Sequence, residues 1–162
     1  MLGAAHEYRL LILEKHLDTF GHVNNATYLE ILEEARWDLI TRNGYGLAEV
    51  RRLKIGPVVL EAHLRFAREL QNRQAVTIRS WLESYSGKIG RFAQQILAED
   101  GTLCCDAMFT IGLFDLKARR LIRPTPEWVS ALGLRDTPRA RVAIRRQRSS
   151  ATDRWSSAST SV

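Results

Sequence analysis

The stretch from Asp18 to Ile40, DTFGHVNNATYLEILEEARWDLI, decides how this chain folds. A carboxylate, Asp18, stands three residues before Gly21, and Asn24 and Asn25 then lead into a long segment with helical periodicity. Asparagine is a preferred helix N-cap, because its side-chain oxygen accepts hydrogen bonds from the free N–H groups of the first turn. The stretch therefore predicts a glycine turn that delivers a carboxylate to the N-terminus of a helix.

The segment 26–42 is predicted to form this helix, with Asn43-Gly44 as its C-terminal stop. At about 1.5 Å per residue the helix is roughly 25 Å long, enough to cross a whole sheet. Six apolar residues recur on one face: Tyr28, Ile31, Leu32, Ala35, Leu39 and Ile40. Leu29 and Trp37 extend the apolar surface beyond this stripe, which predicts a helix covered on several sides by sheet.

Strands are predicted from segments in which apolar and polar residues alternate. They cover 8–14 before the helix and 58–66, 74–85, 89–98 and 103–114 after it, with a loop over 51–57. In the strand 58–66, five residues are expected to share the core face: Val58, Leu60, Ala62, Leu64 and Phe66. In the last strand this face carries Cys105, Ala107, Phe109, Ile111 and Leu113.

The connections between these strands are predicted to be short turns. Ser86-Gly87 joins the second and third strands after the helix, and Asp100-Gly101 is typical of a two-residue hairpin with positive φ at both positions. Thr125 is expected to cap a final short helix that ends near Gly133. The order of elements predicts an α+β protein in which an antiparallel sheet is wrapped around one long central helix.

Length and charge predict one folded domain, residues 1–134, followed by a basic tail, residues 135–162. The tail holds seven arginines and two aspartates, a net charge of +5, whereas the whole chain carries +6. Its Ser, Thr, Ala and Arg content predicts disorder, either as a solvated extension or as an arm that contacts nucleic acid or anionic lipid. Because the body is nearly neutral, no nucleic-acid partner is expected for the domain.

The two cysteines, Cys104 and Cys105, are neighbours in a predicted strand, so a disulfide framework is not expected. The chain has no run of 18 apolar residues and no N-terminal segment typical of a secretion signal. His6, His16, His22 and His63 are scattered, and no second ligand stands at metal-binding spacing near His22. We therefore expect a cytoplasmic protein without a metal or other cofactor.

Asp18 carries the chemistry in this interpretation. An ionised aspartate beside a helix N-terminus can attack an acyl carbon or activate water, while main-chain N–H groups hold the developing oxyanion. A structural alternative is a turn aspartate that only binds nearby N–H groups. Its position before Gly21, Asn24 and Asn25 favours the catalytic role.

This stretch resembles the signature D-x-x-G-H-V-N-N-x-x-Y-x-x-x-x-x-E-x-R of hot-dog-fold acyl-CoA thioesterases, in the branch of the bacterial long-chain acyl-CoA enzymes. The matching residues are Asp18, Gly21, His22, Val23, Asn24, Asn25, Tyr28, Glu34 and Arg36. Many relatives have Thr or Cys before the aspartate, where this chain has Leu17. The resemblance therefore does not say what orients the carboxylate.

The resemblance implies a hot-dog fold whose sheets pair edge to edge in a homodimer or homotetramer. It also implies hydrolysis of acyl-CoA in lipid metabolism, with medium or long fatty acyl chains favoured. Asn25 would present its backbone N–H to the thioester oxygen, with Asn24 as the cap beside it. His22 is either a general base or a hydrogen-bonding part of the scaffold.

Three further residues are candidates for substrate binding. Tyr28 would line or close the acyl pocket, although core packing explains it nearly as well. Glu34 is a reserve catalytic candidate, because other hot-dog branches use a helix glutamate, and a polar contact between subunits is its alternative. Among the basic residues Arg65, Arg68, Lys88 and Arg91, we choose Arg91 for the phosphates of coenzyme A.

Two other functions stay open at the level of the sequence. An enoyl-CoA hydratase could use the same fold, although the chain lacks the hydratase motif. A non-catalytic acyl-CoA-binding module would bind acyl-CoA without turnover, with the basic tail on DNA or a membrane. Release of free thiol from acyl-CoA distinguishes the thioesterase from both.

Overall fold

The computed structural model describes residue 2 and residues 4–134. Within this part of the chain there are six strands and three helices. The strands are β1 (His6–Leu11), β2 (Ile55–Phe66), β3 (Ala75–Ser86), β4 (Ile89–Ala98), β5 (Leu103–Asp115) and β6 (Arg120–Ile122). The helices are α1 (Asn25–Arg42), α2 (Leu47–Leu53) and α3 (Pro126–Ala131). The tail 135–162, predicted to be disordered, lies outside the described residues.

The strands form one antiparallel sheet in the order β1-β3-β4-β5-β2, with the short β6 paired to β5 beyond the end of β4. Helix α1 packs on one face of this sheet, and α3 packs against the C-terminal end of α1. The prediction of an α+β fold built from an antiparallel sheet and one long helix is confirmed. No helix in the described ranges is long and apolar enough to cross a membrane.

Helix α1 forms as the sequence predicts. The Asn24 side-chain oxygen accepts a hydrogen bond from the Ala26 N–H at 2.9 Å, and Gly44 ends the helix with a φ of +85°. All six predicted apolar residues are buried, from Tyr28 to Ile40. Leu29, which extends the apolar surface beyond this stripe, is 41% exposed in the single chain.

A buried polar cluster fixes α1 on the sheet. Gln94 on β4 is fully buried, and its amide nitrogen donates to the Leu32 carbonyl at 3.0 Å and to Ser80 Oγ at 2.9 Å. Its amide oxygen accepts a hydrogen bond from Arg36 Nη1 at 2.7 Å. Because buried amides are costly without partners, this cluster specifies one position of the helix along the sheet.

Strand β2 corrects the predicted face assignment. The register with β5 shifts between Val59 and Glu61, so Leu60 is an extra residue in a β-bulge. Val59 lies opposite Ile111, and Ala62 lies opposite Phe109. Residues opposite each other share a face of the sheet. The prediction of Val58 and Leu60 on the core face is therefore wrong, because the bulge puts Val59 there instead.

Several element bounds also differ from the prediction. The first strand ends at Leu11 and not at Glu14, because Glu14–His16 form a 3₁₀ turn closed by the His16 N–H on the Leu13 carbonyl at 2.9 Å. The expected loop 51–57 contains the end of α2 and the start of β2. The strand β6 was not predicted at all.

Two turns differ from their predicted types. The β3–β4 turn is Gly87-Lys88, one residue later than predicted, with Gly87 at a φ of +62°. The β4–β5 connection is a loop over 99–102 and not a two-residue hairpin, since only Gly101 has a positive φ. Asp100 Oδ1 accepts the Thr102 N–H there at 2.9 Å, so the aspartate serves the loop through its side chain.

Candidate active site

The loop between β1 and α1 is a tight turn around Asp18. The Asp18 N–H donates to the His22 carbonyl at 2.8 Å, and the Gly21 N–H donates to the Asp18 carbonyl at 3.1 Å. Gly21 has a φ of +83°, a left-handed conformation that glycine adopts at low cost. The predicted glycine turn before the helix is thus present, and it sets where the carboxylate stands.

The Asp18 carboxylate is oriented by the main chain of its own loop. Its Oδ1 accepts the Phe20 N–H at 2.8 Å and, more weakly, the His22 N–H at 3.4 Å. Among the described residues, no hydrogen bond to Oδ2 is found. These two amides orient the carboxylate in a chain that has Leu17 where relatives carry Thr or Cys, and they leave one oxygen available for chemistry.

The N-terminus of α1 lies next to this loop. Asn24 accepts the Tyr28 N–H on its carbonyl at 3.3 Å and caps Ala26 with its side chain. Asn25 is the first residue of the helix, and its N–H has no acceptor in the described part of the chain. The first N–H groups of a helix carry a partial positive charge and bind anions. The Asn25 amide is therefore an available donor for an oxyanion.

One cleft contains both groups. Its volume is about 420 Å³. The lining residues are Asp18, His22, Val23, Asn25, Tyr28, Phe66, Ala67, Arg68 and Glu69. The structure thus brings the predicted carboxylate and the predicted oxyanion donor to one cavity, together with Tyr28 and His22. Asn24 supports the cleft as the helix cap behind Asn25 without lining it.

Tyr28 forms the apolar wall of the cleft with Phe66 at the end of β2. The two rings pack edge to face with centroids 4.9 Å apart. Tyr28 is 4% exposed, and burial raises the pKa of its hydroxyl to about 12. The tyrosine stays neutral across the physiological range, so it provides packing surface beside the carboxylate and not a second charge.

His22 pairs with an acid at the rim. Its Nε2 lies 3.0 Å from Glu69 Oε2, and both side chains are about half exposed. The backbone of His22 also bridges to Gln71, which ties the Asp18 loop to the segment between β2 and β3. These contacts favour the scaffold role over the general-base role for His22.

Glu34 and Arg91 are not part of this cleft. Glu34 accepts a hydrogen bond from the Tyr8 hydroxyl, and this bond raises the pKa of Tyr8 to about 12. Arg91 lies near the start of β4 and directly precedes the buried Phe92, whose ring faces helix α1. Because successive side chains of a strand point to opposite faces, Arg91 points to the face of the sheet away from the helix. Their assignment to the substrate stays a prediction without support from the geometry of the single chain.

Sequence reasoning missed the far wall of the cleft. Phe66, Arg68 and Glu69 reach it because β2 runs antiparallel to α1 and ends beside the helix N-terminus. In the sequence, Arg68 stands directly after a strand and is one of the four basic candidates for the phosphates of coenzyme A. Only the packing of β2 beside α1 separates it from the other three.

Within residues 2 and 4–134, no three His, Cys, Asp or Glu side chains are grouped so that they could hold a metal ion. An antiparallel sheet with one long helix, and a carboxylate and a free helix amide in one cleft, match the hot-dog-fold thioesterase that the resemblance implies. Comparison of the sequence with known families agrees. Residues 13–132 match the model of the thioesterase-like superfamily, and the chain belongs to this family.

Individual relatives support the same placement. The chain is 37% identical to the long-chain acyl-CoA thioesterase FadM of Escherichia coli over 108 residues, 66% of this chain and 81% of FadM. Its sequence is 31% identical to that of YbaW, a probable thioesterase from Escherichia coli. The crystal structure of YbaW superposes on this chain with a TM-score of 0.70, over 80% of this chain and 98% of YbaW. The predicted hot-dog fold and thioesterase activity are confirmed.

More distant structures share the fold. SAV2348 from Staphylococcus aureus, solved in complex with CoA, has a TM-score of 0.74 at 19% identity, over 81% of this chain and 83% of that protein. At this identity the comparison concerns the fold alone.

Proposed function

We propose that this protein hydrolyses medium- or long-chain fatty acyl-CoA to the free acid and coenzyme A at the Asp18 cleft. The observation that carries the proposal is the meeting of the Asp18 carboxylate and the Asn25 amide in one cavity beside an apolar wall. The substrate class follows from the similarity to FadM, a long-chain acyl-CoA thioesterase.

The chemistry needs an oxyanion site and a carboxylate oxygen. As the tetrahedral centre forms, the thioester oxygen gains negative charge, and the Asn25 N–H at the positive end of α1 stabilises it. One such donor is worth roughly 3 kcal/mol of barrier. Because Oδ1 of Asp18 is held by two amides, Oδ2 is the oxygen that reacts.

Two routes lead from this arrangement to the products. Asp18 Oδ2 can bond to the acyl carbon and expel the coenzyme A thiolate, giving an anhydride that water then opens to the acid. Alternatively, Oδ2 takes a proton from water, and the resulting hydroxide displaces the thiolate in the same way. Both routes use the same oxygen and the same oxyanion donor, and neither requires a metal or another cofactor.

Charge at the rim assigns the coenzyme A end of the substrate. Arg68 lines the cleft, and Arg91 does not. A guanidinium binds phosphate oxygens with two N–H groups, so we transfer the predicted phosphate contact from Arg91 to Arg68. The neighbouring Glu69 pairs with His22 Nε2 at 3.0 Å.

The edge strand β2 supports assembly of two or more chains. Val59, Leu60 and Phe66 on this strand are 46%, 45% and 52% exposed. An exposed strand edge with apolar side chains is a template for pairing with another strand. We therefore infer a homodimer that joins two sheets at β2, from which a homotetramer can form.

Free, buried Cys104 and Cys105 fit the reducing cytoplasm.

A thiol-release assay across acyl-CoAs of increasing chain length tests this function. We expect kcat/KM to rise from short to medium or long chains and to be unaffected when the chain is cut after Leu134. Hydration of an enoyl-CoA without thiol release would identify a hydratase instead. Binding of acyl-CoA with no thiol release at any length would identify a binding module.

A further inference from the structure

A second cavity lies away from the Asp18 cleft, between α1 and the edge strand β2, the strand inferred above to pair with a second copy of the chain. Its volume is about 250 Å³, and it shares no lining residue with that cleft. Arg36 in its wall comes 11 residues after Asn25, which places it about 16 Å further along the helix axis. The lining is mainly apolar and includes Trp37, Leu39, Ile40, Val59, Phe92, Ile111, Trp128 and Leu132.

Of the residues that the structure describes, Arg36 is the one basic residue that lines this cavity. Its Nη1 donates to Gln94 Oε1 at 2.7 Å, and its guanidinium carbon lies 4.2 Å from the centre of the Phe109 ring. No carboxylate among the described residues lies within 4.0 Å of the guanidinium. Burial lowers the pKa of Arg36 to about 10, because the charge loses water without gaining an anion.

Glu33, the one acidic residue in the described part of the cavity wall, forms no ion pair with Arg36. Glu33 is exposed, and its Oε1 accepts a hydrogen bond from Trp37 Nε1 at 3.3 Å. It raises the pKa of Arg36, but less than burial lowers it. A guanidinium has five N–H donors in a planar fork that fits a carboxylate, and the structure accounts for one of them.

We propose that this cavity binds the carboxylate end of a medium-length aliphatic acid, with the carboxylate on Arg36 and the alkyl chain along the apolar wall. At roughly 30 Å³ for a group the size of water, the volume holds about eight such groups, close to the ten non-hydrogen atoms of octanoate. A neutral or cationic chain end would leave the guanidinium buried without an anion. A carboxylate removes this cost and adds charge-assisted hydrogen bonds.

An aliphatic carboxylate can reach the cavity from two sources. It can be a free fatty acid, the class of product that the proposed reaction releases. It can also be the carboxyl group at the far end of a dicarboxylic acyl chain whose thioester lies in the Asp18 cleft. The second source rests on the proposed function, whereas the first does not require turnover.

Binding to the wild-type protein tests the first source. Trp37 and Trp128 line the cavity, so their fluorescence reports its occupation. We expect octanoate to bind at least tenfold more tightly than octan-1-ol or octylamine. Arg36→Met should reduce octanoate affinity to that of octan-1-ol, and the control Arg51→Met, which changes an exposed arginine on α2, should leave it unchanged.

Turnover of matched substrates tests the second source. With a long-chain acyl-CoA and its counterpart that carries a terminal carboxylate, we expect Arg36→Met to lower kcat/KM at least tenfold for the carboxylated substrate only. A preference for octanoate assigns the cavity to the free acid, and an effect confined to the carboxylated substrate assigns it to the acyl tail.

The proposal is overturned if octanoate, octan-1-ol and octylamine bind equally and the terminal carboxylate changes kcat/KM by less than twofold. Because the ligand comparison uses the wild-type protein, the decision does not depend on how well Arg36→Met folds. Turnover of the plain acyl-CoA tests the thioesterase activity separately. Failure of the carboxylate proposal therefore does not imply failure of the proposed thioesterase function.

Discussion

Replacing Gln94 by leucine removes the polar contacts that hold α1 on the sheet. Gln94 is fully buried and makes three hydrogen bonds, to the Leu32 carbonyl, to Ser80 Oγ and from Arg36 Nη1. A neutral hydrogen bond contributes about 1 kcal/mol net, and one to a charged group contributes about 1.5–3 kcal/mol. Gln94→Leu should therefore lower the free energy of unfolding by about 3–5 kcal/mol.

Replacing both Arg36 and Gln94, the two partners of the charge-assisted hydrogen bond, should lower the free energy of unfolding by less than the sum of the two single replacements. In Gln94→Leu the Arg36 guanidinium stays partly buried without its acceptor, and the double change Arg36→Met, Gln94→Leu removes this unpaired charge. We expect a coupling energy of about 1.5–3 kcal/mol between the two sites. Urea unfolding followed by circular dichroism measures all four proteins of the cycle.

A neighbouring glutamine supplies the control. Gln95 points to the other face of the sheet and makes one hydrogen bond, to Asp106 Oδ1 at 3.1 Å. Gln95→Leu should cost about 1 kcal/mol or less. The reasoning is refuted if Gln94→Leu is no more destabilising than Gln95→Leu, or if the coupling with Arg36 is close to zero.

Three further predictions follow from the site and the edge strand. Asn25→Ala should lower kcat/KM by less than about tenfold, because the proposed donor is main chain; a loss as large as that from changing Asp18 would assign the role to the side chain. Tyr28 has a pKa raised from 10 to about 12 by burial, so its contribution to stability is complete below pH 10 and is lost as the pH rises towards 12. The unfolding free energy of the wild type relative to that of Tyr28→Phe should thus fall by up to about 3 kcal/mol over this window, and a constant difference would contradict the shift. Leu60→Lys should convert the homodimer proposed at β2 to monomers in light scattering, and an unchanged mass would exclude β2 as the interface.

The sequence alone predicts the elements whose signal is local. All six buried residues of α1 follow from helical periodicity, and its start at Asn24 follows from capping chemistry. The bulge at Leu60 has no such signal, because nothing in the residue types marks where β2 inserts one residue against β5. Helix α2 has only seven residues, too few for a reliable period.

The candidate site divides in the same way. Asp18, Gly21 and Asn25 are close in sequence, so one turn and one helix start bring them together. Phe66 and Arg68 reach the cleft through the antiparallel course of β2 beside α1, which is a tertiary property. The choice between Arg91 and Arg68 is not decided by the sequence for the same reason, since the direction of a strand side chain depends on the register of the whole sheet.

The central claim is that an oxygen of Asp18 reacts with the thioester. Asp100 is a matched control, because its Oδ1 also accepts a backbone N–H in a turn, yet it does not line the cleft. Rates of thiol release from a long-chain acyl-CoA should fall roughly a hundredfold or more in Asp18→Asn and stay near wild type in Asp100→Asn, with both variants folded by circular dichroism. An Asp18→Asn enzyme that keeps more than about a tenth of the wild-type rate, a barrier change below about 1.4 kcal/mol, would contradict the account.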